Sequence, residues 1–281
     1  MNQSKTLLNP DVVIVGAGVA GIYMLHKLQN MGLQTVVLEK SDELGGTWNW
    51  NRYPGARCDI PSLEYSYQFD EELQQDWNWT EKYSAQPEIL DYLNHVADRF
   101  DLRKDINFEE EVLQAKFNEK SSVWNIKTNK ENYVSKFCIF ATGCLSVPNK
   151  PEIEGLDKFD GQLLSTSYWP REEVDLSDKN VAIIGTGSSS IQTIPEIAKD
   201  VKNLYVFQRT PNYSIPSNNG PMDKQVEADV KSRYSEFRKE NWSNGFGIAG
   251  ISDEALIADS DIDEVNNQLE ENWNNNGLGF F

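Results

Sequence analysis

Two glycine-rich segments have residue types and spacings that can hold a dinucleotide. In the first, Gly16, Gly18 and Gly21 directly follow a short apolar run and precede a helical pattern, and Glu39 ends the next apolar run. Such glycines let the backbone approach a pyrophosphate at a helix N-terminus. Glu39 follows Gly16 by 23 positions, a spacing that suits a carboxylate bound to ribose hydroxyls. This segment therefore predicts a dinucleotide site for a ribose without a 2′-phosphate.

The second segment repeats this arrangement with one chemical change. Its turn consists of Gly185, Thr186, Gly187, Ser188 and Ser189. Ser190 stands at the third glycine position, where a larger residue opens the packing of helix on strand. The next strand ends at Arg209, 24 positions after Gly185 and in the slot that Glu39 has in the first segment. A guanidinium there can bind a 2′-phosphate, which predicts NADP(H).

Two dinucleotide units of this kind suggest FAD together with NADPH, as in a dithiol reductase or a monooxygenase. A reductase of this architecture needs two closely spaced cysteines beside the flavin. Cys58 stands alone in its segment, and Cys138 and Cys144 flank residues 141–143, where they are interpreted as core packing. The cysteine pattern therefore disfavours the reductase.

Hydrophobic periodicity predicts the elements that position these residues. They are strands at 12–15, 35–39, 137–140, 181–184 and 204–209, helices after Gly21, from Pro87 and after Ser190, a loop at 44–61, a meander over 106–140 and helical segments after 215. The strand at 137–140 is predicted to be buried. The helical segments after 215 have apolar faces formed by Val226, Val230, Tyr234 and Phe237, and by Ile262, Val265, Leu269 and Trp273. Two βαβ units predict an α/β fold with two Rossmann-like dinucleotide-binding domains.

Composition excludes several classes of partner and site. The 281 residues carry 26 Lys+Arg against 44 Asp+Glu, a net charge of -18, which repels nucleic acid and anionic membrane surfaces. No apolar run is long enough for a membrane helix and the first eight residues do not resemble a signal peptide. Three cysteines fit a reducing compartment, so a cytoplasmic location is expected. With His26 and His95 as the two histidines, no multi-histidine metal site is expected.

Several motifs resemble those of Baeyer-Villiger monooxygenases, which are class B flavin-dependent monooxygenases. Residues 45–48 (GGTW) and 52–59 (RYPGARCD) are similar to the flavin-side loop of that family. Residues 159–170 (FDGQLLSTSYWP) resemble its fingerprint F-x-G-x-x-x-H-x-x-x-W-P/D, whose Trp-Pro ending distinguishes these enzymes from flavin N- and S-oxygenases. Residues 207–212 (FQRTPN) match its NADP segment.

The resemblance implies an FAD- and NADPH-dependent enzyme that uses O2 to convert a ketone into an ester or lactone through a flavin peroxide. Asp59 matches the active-site aspartate, which positions the nicotinamide and a later arginine. Arg57 and Trp48 match positions near the nicotinamide and the flavin, and Tyr65 and Val112 match positions that contact flavin and adenine. The remaining residues predicted to bind cofactor are Lys40, Gly46, Thr47, Cys58 and Thr210.

The chain departs from the family pattern in two ways. Ser165 replaces the fingerprint histidine, which is thought to couple nicotinamide binding to domain motion. Family members are also about twice as long, so the chain is expected to be an N-terminal portion that is inactive alone. The predicted domains are the N-terminal part of an FAD-binding domain at 1–145, a linker with the first part of an NADP-binding domain at 146–214, and an incomplete helical insertion at 215–281. The alternatives are a flavin N- or S-oxygenase and a non-catalytic nucleotide-binding fragment.

Overall fold

The structure, a computed structural model, describes residues 7–145, 147–149, 151–212, 214–243, 245, 247–248 and 261–275. Its strands are β1 (Leu7–Leu8), β2 (Val12–Val15), β3 (Thr35–Leu38), β4 (Ile106–Asn107), β5 (Val112–Asn118), β6 (Val123–Thr128), β7 (Asn132–Ser135), β8 (Phe137–Phe140), β9 (Asn180–Ile184) and β10 (Asn203–Phe207). Its α-helices are α1 (Val19–Asn30), α2 (Thr47–Trp50), α3 (Glu71–Asp76), α4 (Gln86–Arg99), α5 (Ser188–Ile197), α6 (Lys224–Ser232), α7 (Tyr234–Ser243) and α8 (Ile262–Asn275).

The chain packs as two compact units, and each unit takes residues from two separate stretches of sequence. Unit 1 comprises Met1–Pro54 and Gln86–Asp175, and unit 2 comprises Gly55–Ala85 and Leu176–Phe281. These units are defined by packing rather than by ligand binding. The predicted limits of the FAD, NADP and helical domains therefore stay a prediction.

Unit 1 contains a parallel sheet with the strand order β4-β3-β2-β8. Helix α1 connects β2 to β3, and its Ile22 and Leu25 side chains are fully buried, as the periodicity predicted. Parallel pairing brings the carboxyl ends of β2, β3 and β8 to one edge, so that Gly16, Glu39 and Ala141 follow them there. This confirms the α/β class and a Rossmann-like first βαβ unit.

A second sheet of unit 1 has the order β1-β7-β6-β5, in which β5, β6 and β7 are antiparallel neighbours. The predicted meander over 106–140 is thus confirmed for its central part, β5 to β7. Its two ends, β4 and β8, instead pair in the parallel sheet. Ile126 and Tyr133 of this sheet pack on Val13 and Leu38 of the parallel sheet. The two sheets of unit 1 share one core.

The prediction of a buried strand at 137–140 is wrong. Phe137 and Phe140 are 56% and 54% exposed, because β8 is an edge strand that pairs with β2 on one side in the described part of the chain. The interpretation of the neighbouring cysteines as core residues also fails for Cys144, which is exposed, whereas Cys138 is half-buried. An apolar strand pattern does not distinguish a central strand from an edge strand.

Unit 2 contains the second βαβ arrangement, with β9 and β10 parallel and α5 between them. Helices α6 and α7 bury Val230, Tyr234 and Phe237, as predicted, but Val226 is 51% exposed. Val226 lies in the first turn of α6, ahead of the buried stripe. The apolar residues of α8 are also largely exposed, with Ile262 at 64%, Leu269 at 39% and Trp273 at 45%. Periodicity therefore located these helices correctly but not the faces that they bury.

The longest helices of the described residues are α4 and α8, with 14 residues each. A helix needs about 20 apolar residues to cross a bilayer, and none in the described part meets the requirement. The same residues contain no group of three or more His, Cys, Asp or Glu side chains arranged to hold a metal ion.

Two candidate dinucleotide sites

The first glycine-rich turn, which joins β2 to α1, has no room for side chains. Gly16 has a φ of +103°, and a Cβ atom there would lie 2.7 Å from the carbonyl oxygen of Ala141. A Cβ atom on Gly21 would lie 1.9 Å from the carbonyl oxygen of Gly16. Glycine is therefore required at position 16 both by backbone conformation and by close approach, and at position 21 by close approach.

The segment that was predicted as a flavin-side loop lies against this turn. A Cβ atom on Gly46, which has a φ of +55°, would lie 2.9 Å from the Cα atom of Gly18. The amide of Gly45 donates to the carbonyl oxygen of Ala17 at 2.9 Å. Thr47 and Trp48 then open the short helix α2 within a stretch predicted as loop. Two backbone segments thus meet without intervening side chains, which leaves a cradle lined by main-chain atoms.

The carboxylate of Glu39 is buried beside the first turn, with 5% of the residue exposed. Its Oε2 atom accepts from the amide of Ala17 at 2.7 Å, and its Oε1 atom accepts from the amide of Ser41 at 2.8 Å. Each carboxylate oxygen has a further lone pair that can accept a ribose hydroxyl. The two amides fix the orientation of the carboxylate before any ligand binds.

Two further residues predicted to bind cofactor in unit 1 have protein partners. The Nζ atom of Lys40 lies 2.7 Å from Glu111 Oε1, and this hydrogen bond raises the pKa of Lys40 despite the small opposing effect of burial. Val112 opens β5 and packs against the cluster that contains Val13 and Ile126. The structure thus gives Lys40 an ion pair and Val112 a packing role, and their cofactor contacts stay predictions.

The second glycine-rich turn is open, in contrast to the first. Gly185 has a φ of +105°, yet a Cβ atom there or on Gly187 would meet no atom of the described residues within 4 Å. Gln208 Nε2 donates to Thr186 Oγ1 at 2.8 Å and Asn212 Nδ2 donates to the Thr186 carbonyl oxygen at 3.2 Å. Open space therefore lies in front of the N-terminus of α5, where Ser188 and Ser189 begin the helix.

Arg209 follows β10 and is exposed, as is Thr210. Within the described ranges, the guanidinium of Arg209 has neither a hydrogen bond nor an ion pair. A cation without a protein partner at this strand end is available to an anionic ligand, and its delocalised fork fits a phosphate.

The segment that carries Arg57 and Asp59 belongs to unit 2 and is held by Gln192 of α5. Gln192 Oε1 accepts from the amide of Arg57 at 3.3 Å, and Gln192 Nε2 donates to the Arg57 carbonyl oxygen at 3.1 Å and to Asp59 Oδ1 at 2.9 Å. A Cβ atom on Gly55 would lie 2.2 Å from the Gln192 carbonyl oxygen. Sequence reasoning missed Gln192, because one glutamine in a helix carries no signal of a partner 133 residues away.

Gln192 contacts the backbone of Arg57, whereas the guanidinium of Arg57 is held by Glu81 and Tyr83. Arg57 Nη1 donates to Glu81 Oε2 at 2.8 Å and to the Tyr83 carbonyl oxygen at 3.1 Å. Asn219 Nδ2 donates to the same Glu81 oxygen at 2.7 Å. Burial works to raise the pKa of Glu81, but the hydrogen bonds from Arg57 and Asn219 hold it below its usual value. Glu81 and Asn219 were also missed, since neither lies in a recognisable motif.

Cys58 lies between Arg57 and Asp59 in the sequence, and its side chain is buried. Burial raises the pKa of its thiol to about 11, so the thiolate is rare near neutral pH. Tyr65 is half-buried in the same unit, with its amide donating to the Pro61 carbonyl oxygen at 3.0 Å. Cys58 therefore has the properties of an unreactive packing residue, and its contact and that of Tyr65 with a cofactor remain predicted.

The fingerprint segment in unit 1 includes Ser165, whose carbonyl oxygen accepts from the amide of Tyr168. Ser165 is exposed at the start of a short 3₁₀ turn, Thr166–Tyr168. Just beyond it, Arg171 forms a bidentate ion pair with Asp42, at 2.7 Å and 2.5 Å. Asp42 lies three residues after Glu39, so the ion pair attaches the end of the fingerprint segment to the chain that follows β3.

Comparison with known proteins places this geometry among nucleotide-dependent oxidoreductases. The family model for pyridine nucleotide-disulphide oxidoreductase matches residues 13–270. A Baeyer-Villiger monooxygenase from Pseudooceanicola batsensis is 41% identical over 275 residues, covering 96% of this chain and 50% of that protein. A phenazine N-monooxygenase from Lysobacter antibioticus is 38% identical over 248 residues, covering 86% of this chain and 46% of that protein.

Solved structures are similar over the same range. An oxidized steroid monooxygenase bound to NADP has a TM-score of 0.90 and 45% identity, covering 94% of this chain and 51% of that one. The OTEMO complex with FAD and NADP has a TM-score of 0.90 and 36% identity, covering 98% and 52%. The chain therefore spans about half the length of the relatives that it matches.

Replacing Gly16 should disrupt the first site by steric clash and not only by backbone strain. Gly16 and Gly32 both have positive φ, at +103° and +76°, but a Cβ atom on Gly32 meets nothing within 4 Å. We expect Gly32→Ala to cost about 1–2 kcal/mol of stability, the usual penalty for a left-handed residue. Gly16→Ala should cost more and also abolish flavin retention, measured as flavin absorbance of the purified full-length protein. Equal losses in the two variants would contradict the close approach described for Gly16.

Cys144 and Cys58 should differ sharply in their rates of alkylation. Iodoacetamide should alkylate the exposed Cys144 near neutral pH while the buried Cys58, with its pKa of about 11, stays unmodified. Peptide mass spectrometry over a time course measures both rates in one sample, and urea-unfolded protein gives the reference rate for each thiol. Rapid labelling of folded Cys58 would show that its segment is not packed as described.

Proposed function

Because the chain belongs to the pyridine nucleotide-disulphide oxidoreductase family, and within it to the class B flavin monooxygenases of the Baeyer-Villiger type, we propose that it binds FAD and NADP in an enzyme that oxidises a ketone to an ester or lactone. The observation that carries this proposal is the contrast between the two strand ends. A buried carboxylate, Glu39, follows the last strand of one βαβ unit, and an exposed guanidinium, Arg209, without a partner among the described residues, follows the last strand of the other.

We assign FAD to unit 1. The main-chain cradle of Gly16, Gly18 and Gly46 would accept the pyrophosphate, and the Glu39 carboxylate would accept the ribose hydroxyls. A Cβ atom on Gly16 or Gly46 would clash with the backbone of the cradle, so the residues fit the group. FAD supplies redox and oxygen chemistry for which protein side chains have no equivalent, and the chain contributes binding and orientation.

We assign NADP to the β9-α5-β10 arrangement of unit 2. The open turn at Gly185 and Gly187 leaves room for the pyrophosphate at the N-terminus of α5, whose dipole favours negative charge. Arg209 would bind the 2′-phosphate, which is absent from NAD. Within this assignment, residues 215–281 would belong to an incomplete helical insertion, which stays a prediction.

Asp59 and Arg57, both in unit 2, would act on the nucleotide that this unit binds. The Asp59 carboxylate accepts a hydrogen bond from Gln192 and is otherwise exposed, so it can also accept from a carboxamide of a bound nucleotide. The guanidinium of Arg57, two residues before Asp59, is held in place by Glu81. Ser165 cannot reproduce the charge or the ring of the histidine found in the fingerprint, so we expect slower coupling of nucleotide binding to turnover. The cytoplasmic location stays a prediction.

A flavin N-oxygenase is the second candidate, since the similarity to the phenazine N-monooxygenase covers 86% of the chain. The Trp-Pro ending of the fingerprint, at 169–170, favours ketone oxidation. We expect the full-length protein, supplied with FAD and NADPH, to form an ester or lactone from cyclic or linear ketones. Gas chromatography of parallel reactions with a ketone, a thioether and a tertiary amine decides between the two, and oxidation of the amine alone would support the N-oxygenase.

Arg209→Ala should change nucleotide preference. A hydrogen bond to a charged group contributes about 1.5–3 kcal/mol, so NADPH should bind roughly 10- to 150-fold more weakly while NADH is little changed. The readout is the ratio of kcat/KM for NADPH over NADH in the full-length protein. Lys202→Ala is the matched control, because Lys202 is a cation that precedes β10 and is expected to affect the ratio much less. Equal loss with both nucleotides would mean that Arg209 supports the fold and does not bind the phosphate.

A further inference from the structure

Gln192 contacts both ends of the Arg57–Asp59 segment with one side-chain amide. Its oxygen accepts from the Arg57 amide at 3.3 Å, and its nitrogen donates to the Arg57 carbonyl oxygen at 3.1 Å and to Asp59 Oδ1 at 2.9 Å. Across the described residues, it is the one side chain that donates to the Asp59 carboxylate. The orientation of that carboxylate therefore depends on where Gln192 lies.

Gln192 lies on the helix that begins at the second glycine-rich turn. Ser188 is the first residue of α5, and Gln192 follows it by four positions, so the two share a face one helical turn apart. The backbones also touch, because a Cβ atom on Gly55 would lie 2.2 Å from the Gln192 carbonyl oxygen. The Arg57–Asp59 segment is thus seated directly on the helix whose N-terminus faces the dinucleotide turn.

The guanidinium of Arg57 does not depend on Gln192 in the same way. Glu81 and the Tyr83 carbonyl oxygen hold it, and Asn219 holds Glu81 in turn. Removing the Gln192 amide should therefore release the Asp59 carboxylate and the Arg57 backbone while the Arg57 side chain stays anchored. Asp59 and Arg57 are separable by mutation for this reason.

We propose that Gln192 is a positioning residue: from α5, the helix that follows the second glycine-rich turn, it fixes the orientation of the Asp59 carboxylate. The inference rests on the proposed function, in which Asp59 contacts the nicotinamide. The position of the Asp59 carboxylate relative to a nucleotide bound at the N-terminus of α5 is then fixed by this helix. A nucleotide seated at Gly185–Ser188 and the carboxylate that contacts its far end would then be held by the same helix, α5.

Cys58 provides a readout of this geometry that needs neither cofactor nor turnover. In the full-length protein, Gln192→Ala should raise the rate of Cys58 alkylation by iodoacetamide about tenfold, since the hydrogen bonds that seat the segment are lost. Gln225→Ala is the control, because Gln225 is exposed on α6 in the same unit and makes no side-chain hydrogen bond to the described residues. An unchanged Cys58 rate in Gln192→Ala would overturn the proposal.

Turnover tests whether the position matters for the reaction. We expect Gln192→Ala to lower kcat about tenfold with the KM for NADPH changed less than about threefold, because the nucleotide-binding turn itself is intact. Gln192→Glu has the same size but replaces the donor by a carboxylate facing Asp59, so it should lose at least as much. A Gln192→Glu variant as active as the wild type would overturn the proposal even where the alanine variant misfolds.

A double-mutant cycle separates positioning from general stability. Gln192→Ala should reduce kcat little further in an Asp59→Ala background, because the carboxylate that it positions is absent. Losses that multiply independently would overturn the inference. If the wild-type protein neither binds NADP nor oxidises a ketone, the proposed function fails, whereas the Cys58 labelling still decides whether Gln192 seats the segment.

Discussion

The arrangement of unit 1 depends on the buried carboxylate of Glu39. A buried charge is tolerated only when hydrogen bonds replace its hydration, and the amides of Ala17 and Ser41 supply them. Ala17 can supply its amide only if the chain turns sharply after β2, which requires glycine at position 16. The parallel register of β2 and β3 then fixes the distance over which the carboxylate reaches the turn. Sheet register, turn and charge are mutually dependent, and they meet at the common edge where we propose that FAD binds.

The second βαβ arrangement shows what happens when that constraint is absent. Arg209 is exposed and Gly185 has open space around it, so neither the strand end nor the turn is fixed by a buried charge. The turn is held instead by exposed side chains, Gln208 and Asn212, which contact Thr186. The two βαβ arrangements share a backbone plan, but in the first a buried carboxylate of the protein organises the turn, whereas in the second the strand-end charge is exposed.

Local sequence was sufficient to predict both turns, because the strand, the glycines and the helix that form each of them are contiguous. It was also sufficient for α1, whose buried Ile22 and Leu25 recur at helical spacing. It failed where the outcome depends on distant neighbours. The exposure of Phe137 and Phe140 follows from β8 being an edge strand, and no periodicity reports strand order. The contacts of Gln192 and Glu81 with the Arg57–Asp59 segment, and of Asn219 with Glu81, join residues 24 to 138 positions apart, so only the folded chain reveals them.

The interleaving of the two units has a consequence for the order of events during synthesis. Residues 55–85 belong to unit 2, but the 90 residues of 86–175, which belong to unit 1, are translated before the rest of unit 2 begins at Leu176. At a translation rate of roughly 5–20 residues per second, about 5–18 s pass between the synthesis of residues 55–85 and the start of the remaining part of unit 2. Trp79 and Tyr83, 2% and 3% exposed in the finished protein, have no complete core to enter during that interval. The nascent chain therefore exposes these aromatic side chains during synthesis, and we expect chaperones to bind it at that stage rather than after release.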